Sequence, residues 1–211
     1  LLPILTRYLM PVEYGEVAMF QILVTALAAI TGVSVQGAAN RKFYDADATH
    51  HELAHYIGAC LQILFATTLS TFILAFVFKY QLAAWLGLDR DWILLAVLVS
   101  ASGFIISMRL GQWQIRGAAS RYGMLQVSQS MANMLLSVLL VVVLLRGAAG
   151  RIEAQIWVVL LFAGLCLYLL VKDRLLAFSW RPAYLREALR FGVPLIPHVA
   201  GLFLLSAADR L

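Results

Sequence analysis

Charge is what this 211-residue chain has least of: Asp, Glu, Lys and Arg make up 13% of it, against 63% hydrophobic residues. Soluble domains are roughly a quarter charged and about half apolar, so this composition excludes an ordinary water-soluble fold. A mean hydropathy of +0.87 agrees. Cysteine is almost missing too. Cys60 and Cys166 sit deep in apolar segments without metal-ligand neighbours, which makes them small packing residues. A secretory leader is not visible, because Leu1 to Leu5 is too short for its apolar core and reads as the tail of a truncated first helix. The chain opens without methionine and stops at Leu211 behind a hydrophobic run, as expected of a piece of a longer protein. A net charge of +5 points to no nucleic-acid partner, since the basic residues are scattered between apolar runs rather than gathered on one surface.

What the chain does have is long hydrophobic runs. Crossing a hydrocarbon core of about 30 Å takes roughly 20 apolar residues in a helix. Five complete spans are expected, at Tyr14–Ala39, His55–Phe78, Trp92–Leu110, Met124–Leu145 and Ala154–Val171, with partial spans before Arg7 and from Phe191 onward. The fold class is therefore an all-α, polytopic transmembrane bundle. Aromatic residues including Tyr14, Tyr80, Trp85, Trp92, Trp113 and Trp180 lie near the span limits, as an interfacial belt requires.

Positively charged connections tend to stay in the cytoplasm. The connections after residues 40, 113 and 172 hold nine Lys and Arg, and the alternate set holds five, which places the first set inside. Most of the inside charge lies in Lys172 to Arg190. There Pro182 opens a short amphipathic helix, with Tyr184, Leu185, Ala188 and Leu189 opposite Arg186, Glu187 and Arg190. Such a helix suits a linker lying on the membrane surface.

Several spans also carry polar groups. Gln21, Thr25, Thr31, Ser34 and Gln36 occupy one, and Gln126, Ser128, Gln129, Ser130 and Asn133 another; facing lipid they are costly, so they are expected to line helix contacts or a wet cavity. Gly103, Ser107 and Gly111 form a small-residue stripe expected to receive a neighbouring helix. Charges at membrane depth are rarer still, and Arg7, Arg109 and the Asp209-Arg210 pair are the candidate site residues. Snorkelling to the interface is the plainer reading of Arg109.

One motif points elsewhere. His51-Glu52-Leu53-Ala54-His55 matches H-E-x-x-H, the spacing that sets two imidazoles and a general base around zinc. A third ligand is not in view, because Asp89 and Asp91 lie beyond a full span. The segment is expected to belong to a polar connection from Asn40 to Glu52.

The opening stretch from Pro3 to Gly15 (PILTRYLMPVEYG), Asn40 to Asp45 (NRKFYD), and Leu189 to His198 (LRFGVPLIPH) leading to Asp209-Arg210 resemble the polysaccharide transporter, or O-antigen flippase, family of the multidrug/oligosaccharidyl-lipid/polysaccharide exporter superfamily. The likeness runs from end to end. It implies a bacterial inner-membrane protein of two helical bundles, with residues 1–171 as the first bundle, 172–190 as the cytoplasmic linker and 191–211 as the start of the seventh helix. It further implies flipping of undecaprenyl-diphosphate-linked oligosaccharide by alternating access. No cofactor or catalytic residue is implied. The partners would be the bilayer, the lipid-linked sugar, and polysaccharide polymerase and glycosyltransferase machinery. Arg7, Arg109 and Arg210 would meet diphosphate, because a guanidinium fork binds phosphate oxygens in pairs. Gln36 and Asn133 would meet sugar, and Asp209 a coupling ion. A small-molecule antiporter of the same superfamily is the nearest rival, and a membrane enzyme such as a metalloprotease using His51, Glu52 and His55 comes last.

Overall fold

A computed structural model describes residues 8–44, 49–197 and 201. Among the described residues every regular element is helical and no strand occurs. Five segments are long and apolar enough to cross a bilayer: Pro11–Lys42, His50–Val77, Arg90–Ile115, Ala119–Val143 and Gly147–Lys172. The chain is a multi-pass helical membrane protein. All five complete spans expected are found among the described residues, most of them lengthened at their polar ends; the partial span before Arg7 lies outside the described residues, as does most of the one from Phe191 onward. At the polar ends, caps rather than hydropathy decide where a helix starts and stops.

The first span is α1 (Pro11–Ile30), opened by Pro11 in the first helical turn, where its missing N–H is no loss. The Glu13 carboxylate accepts from the Met10 amide at 2.8 Å, satisfying one of the free donors there. A distorted turn over Thr31–Ser34 then leads into α2 (Gln36–Lys42). The second span, α3 (His50–Val77), starts with a reciprocal cap: the Glu52 amide donates to Thr49 Oγ1 at 3.2 Å, and the Thr49 amide to Glu52 Oε2 at 3.1 Å. A short helix that hydropathy did not reveal, α4 (Lys79–Leu86), follows and ends on Gly87 in the left-handed region. Its Trp85 is almost wholly exposed, as suits an interfacial anchor.

The hub is α5 (Arg90–Ile115), against which α1 to α4 all rest, as do α6 (Ala119–Val138) and α7 (Gly147–Lys172). A single π-turn at Leu139–Val143 ends the fourth span two residues before the expected Leu145. The outward faces of α3 and α7 are apolar, with Phe65, Ile73, Trp157 and Leu161 exposed, as lipid-facing surfaces should be.

The basic connections meet at one end of the bundle. Gln112 at the end of α5 donates to Asn40 of α2, Arg109 pairs with Asp173 just past α7, and the Arg116 guanidinium lies over the Phe43 ring. After α7 the chain runs extended across this end and enters the expected amphipathic helix, α8 (Pro182–Gly192). Ala188 is buried, and Tyr184 and Leu185 pack on a core that includes Val35 and Tyr56. Protein thus covers much of the apolar face expected to lie on the membrane; Leu189, at its edge, stays exposed.

The extended stretch is held close to α3, where the Ala177 amide donates to the Ala54 carbonyl at 3.2 Å. Gly58 permits that approach, since a side chain there would run into the Ala177 carbonyl. Gly58→Ala is expected to lower stability by about 1–3 kcal/mol through overpacking. Gly164→Ala, in open space on α7, is expected to be neutral or stabilising by up to about 1 kcal/mol. Thermal unfolding in detergent, followed by helical circular dichroism, checks both.

Candidate functional site

The expected first span is not one continuous helix. Gly32, Val33 and Ser34 all have positive φ (75°, 49° and 54°), a conformation that is strained for the β-branched Val33. Only glycine fits the first of these positions, because a side chain would collide with the Phe104 ring of α5. The amides and carbonyls freed by such a break have no water to turn to inside a bilayer. Side chains supply part of the replacement. The Gly32 amide donates to Thr67 Oγ1 of α3 at 2.9 Å. Thr31 Oγ1 donates to the Leu27 carbonyl at 2.8 Å and sits 3.2 Å from Ser100 Oγ of α5.

Beyond the break, Gln36 is set beside a cavity of about 390 Å³ bounded by α1, α2, α5, α6 and α7. Its polar lining is Gln36, Ser100, Ser107, Gln126, Gln129 and Gln155, with no charged residue among the lining side chains. Gln36 Oε1 is buried without a hydrogen-bond partner. Gln155 Nε2 donates to Gln21 Oε1 at 3.0 Å at the margin. Valine, leucine, isoleucine and Phe104 complete the wall. Apolar surface with amide groups spaced along it presents both donors and acceptors and no net charge. That is the chemistry of a site for a neutral, hydroxyl-rich ligand.

The small-residue stripe does something other than expected. Gly103 and Ser107 open onto the cavity, and nothing lies within 4 Å of a side chain added at Gly103. Only Gly111 receives a neighbour, the Asn40 side chain. The stripe serves as cavity wall more than as helix seam.

The expected site residues separate. Gln36 lines the cavity. Asn133 does not; its Oδ1 accepts from Arg151 Nη1 at 3.0 Å, and the same nitrogen reaches Ser137 Oγ at 3.1 Å. Arg151 belongs to α7, ahead of Ala154 where hydropathy starts the fifth span. Arg109 lies outside the cavity lining and is only 1% exposed. Its guanidinium pairs with the Asp173 carboxylate and stacks 4.4 Å from the Trp113 ring centroid, so it neither snorkels to water nor presents a free charge. Burial and the adjacent Arg109 push the Arg116 pKa below its ordinary value, and Asp173 pulls it back. Arg7, Asp209 and Arg210 lie outside the described residues.

The His51 to His55 segment is not a polar connection but the first turns of α3. Its two Nε2 atoms are 3.2 Å apart, and His55 Nδ1 lies 2.8 Å from Ser179 Oγ. The Glu52 carboxylate is engaged in the helix cap.

Sequence reasoning missed the break, Gln155 as a cavity residue, and Asp173 as the partner of Arg109. A Thr-Gly pair followed by Ser34 in mid-span was the available signal for the break. No known protein family, characterised protein or solved structure matches the chain.

Removing one partner of the ion pair leaves the other as an uncompensated charge in a dry site. Asp173→Asn is expected to destabilise the protein by about 3 kcal/mol, the low end for a buried pair because Asp173 itself is partly solvated. Replacing both Arg109 and Asp173 with leucine is expected to cost less. Unfolding free energies of Arg109→Leu, Asp173→Leu and the double variant, combined in a mutant cycle, test this.

Proposed function

We propose that the chain is the first bundle of a flippase that moves undecaprenyl-diphosphate-linked oligosaccharide across the bacterial inner membrane. The single observation that carries the reading is the uncharged, glutamine-lined cavity beside a broken membrane span. Transporter sites commonly form where a spanning helix is interrupted, because irregular backbone at membrane depth is tolerated only where it is buried in protein or lines a cavity. Gln36, Gln126, Gln129 and Gln155 offer paired donors and acceptors to sugar hydroxyls, while an undecaprenyl tail remains in the lipid. The end-to-end resemblance of the sequence to the O-antigen flippase family supports the same reading.

In this reading the polar sides of α1 and α6, where Gln21, Thr25, Gln126 and Ser130 are exposed, face a second bundle rather than lipid. The extended stretch and α8 join the two, and rocking about them opens the cavity to each leaflet in turn. The diphosphate then falls to cations other than Arg109, whose charge Asp173 neutralises. Arg7 and Arg210 remain assigned to that role, and Asp209 to the coupling ion.

Flipping of a fluorescent lipid-linked oligosaccharide in proteoliposomes, by the chain joined to its second bundle, is the direct test. Gln36→Leu with Gln129→Leu is expected to slow flipping by roughly tenfold or more at equal protein levels, since a substrate hydroxyl left unpaired costs about 1–3 kcal/mol. Unchanged flipping in that variant means the cavity is not the path. No flipping by the wild type overturns the function.

A further inference from the structure

A second concavity lies at the basic end of the bundle and shares no lining residue with the glutamine-lined cavity. It encloses about 480 Å³ between α2, α3 and α8, and its charged lining is Arg41, Lys42, Arg190 and Glu187, an excess of two positive charges. Tyr56 and Phe191 form aromatic walls. The Arg41 guanidinium lies 5.8 Å from the Phe191 ring centroid, and the Lys42 ammonium is equally far from the Tyr56 ring. Lys42 is also bound to Glu187 at 3.3 Å. Arg190 forms no ion pair among the described residues.

This arrangement is not what solvation alone produces. Like charges on a surface drift apart unless something holds them, whereas here three cations come from two helices far apart in sequence. Close packing fixes their spacing: Gly37 faces the edge of Phe191, and Gly192, the residue that follows Phe191 at the end of α8, admits the Val33 carbonyl. Aromatic faces restrain the cationic side chains and so reduce the entropy lost on binding. Two guanidinium forks and an ammonium around a groove match an oxyanion that accepts several charge-assisted hydrogen bonds.

We propose that the groove formed by Arg41, Lys42 and Arg190 is a binding site for a phosphate or diphosphate group. Glu187 competes internally for Lys42 and is displaced when the ligand arrives. The site stands whether or not the chain flips lipids, because it rests on residues outside the cavity. Two sources carry the same chemistry, an anionic lipid headgroup and a soluble phosphate.

The test uses the purified chain in phosphatidylcholine nanodiscs. Inorganic pyrophosphate is titrated by calorimetry, and retention of phosphatidylglycerol against phosphatidylcholine on the detergent-purified chain is read by native mass spectrometry. Binding of either probe, weakened about tenfold or more in Arg41→Gln/Arg190→Gln at unchanged helical signal, is the expected result. Pyrophosphate binding alone identifies a soluble ligand, and selective lipid retention a headgroup. Glu187→Gln is expected to bind the same probe several-fold more tightly, because the competing carboxylate is gone; this arm decides the matter if the double variant fails to fold. Absence of binding for both probes, equal binding by wild type and folded double variant, or no gain in Glu187→Gln overturns the site.

Discussion

A peptide group placed in hydrocarbon must find its hydrogen bond within the protein, and this constraint governs most of what the chain does. It makes the described elements helices. It also makes the break in the first span, at Thr31–Ser34, depend on neighbours: Thr67 reaches across from α3 to take the Gly32 amide, and Thr31 turns back to the Leu27 carbonyl. The break is possible only because two other spans stand beside it. Phe104 of α5 then leaves room for glycine alone at position 32, so the fold and the break determine one another.

The same economy applies to charge. The most buried cation among the described residues, Arg109, meets a carboxylate and an aromatic face, and its ion pair pins the extended stretch after α7 against the end of α5. Around that corner Gln112, Asn40, Arg116 and Phe43 interlock the ends of the first and third spans. The result is a molecule with separated chemistries: a charge-free, amide-lined cavity among the helices, and a basic groove beneath α8 at one end. Neutral hydroxyls and anionic phosphate call for these two environments respectively, and an apolar tail needs neither. The uncharged cavity supports the proposed sugar cargo over a cationic drug, for which carboxylates in the cavity would be the natural counterpart.

How much of this could be read beforehand depends on how local each cause is. The spans were legible because hydropathy accumulates over consecutive residues, and α8 because Pro182 and the spacing of Tyr184, Leu185 and Ala188 lie within eleven residues. The cavity was half legible. Glutamines and serines in mid-span announced a polar interior, and Gln36, Gln126 and Gln129 are found there; Asn133 in the same helix is instead tied to Arg151. The stripe at Gly103 and Ser107 misled because small residues suit a helix seam and a cavity wall equally well.

Sequence by itself determined the solvent, the number of complete spans, the basic end and the amphipathic helix, since each follows from composition or from contacts within a few turns. Tertiary structure alone decided whether Arg109 offers or spends its charge, because Asp173 lies 64 positions away. It also decided that the first span breaks and that Gln36 is set beside the cavity. Those outcomes depend on which side chain stands opposite in space. Hydropathy does not record that, since it is the same for a residue facing a neighbour and one facing empty volume.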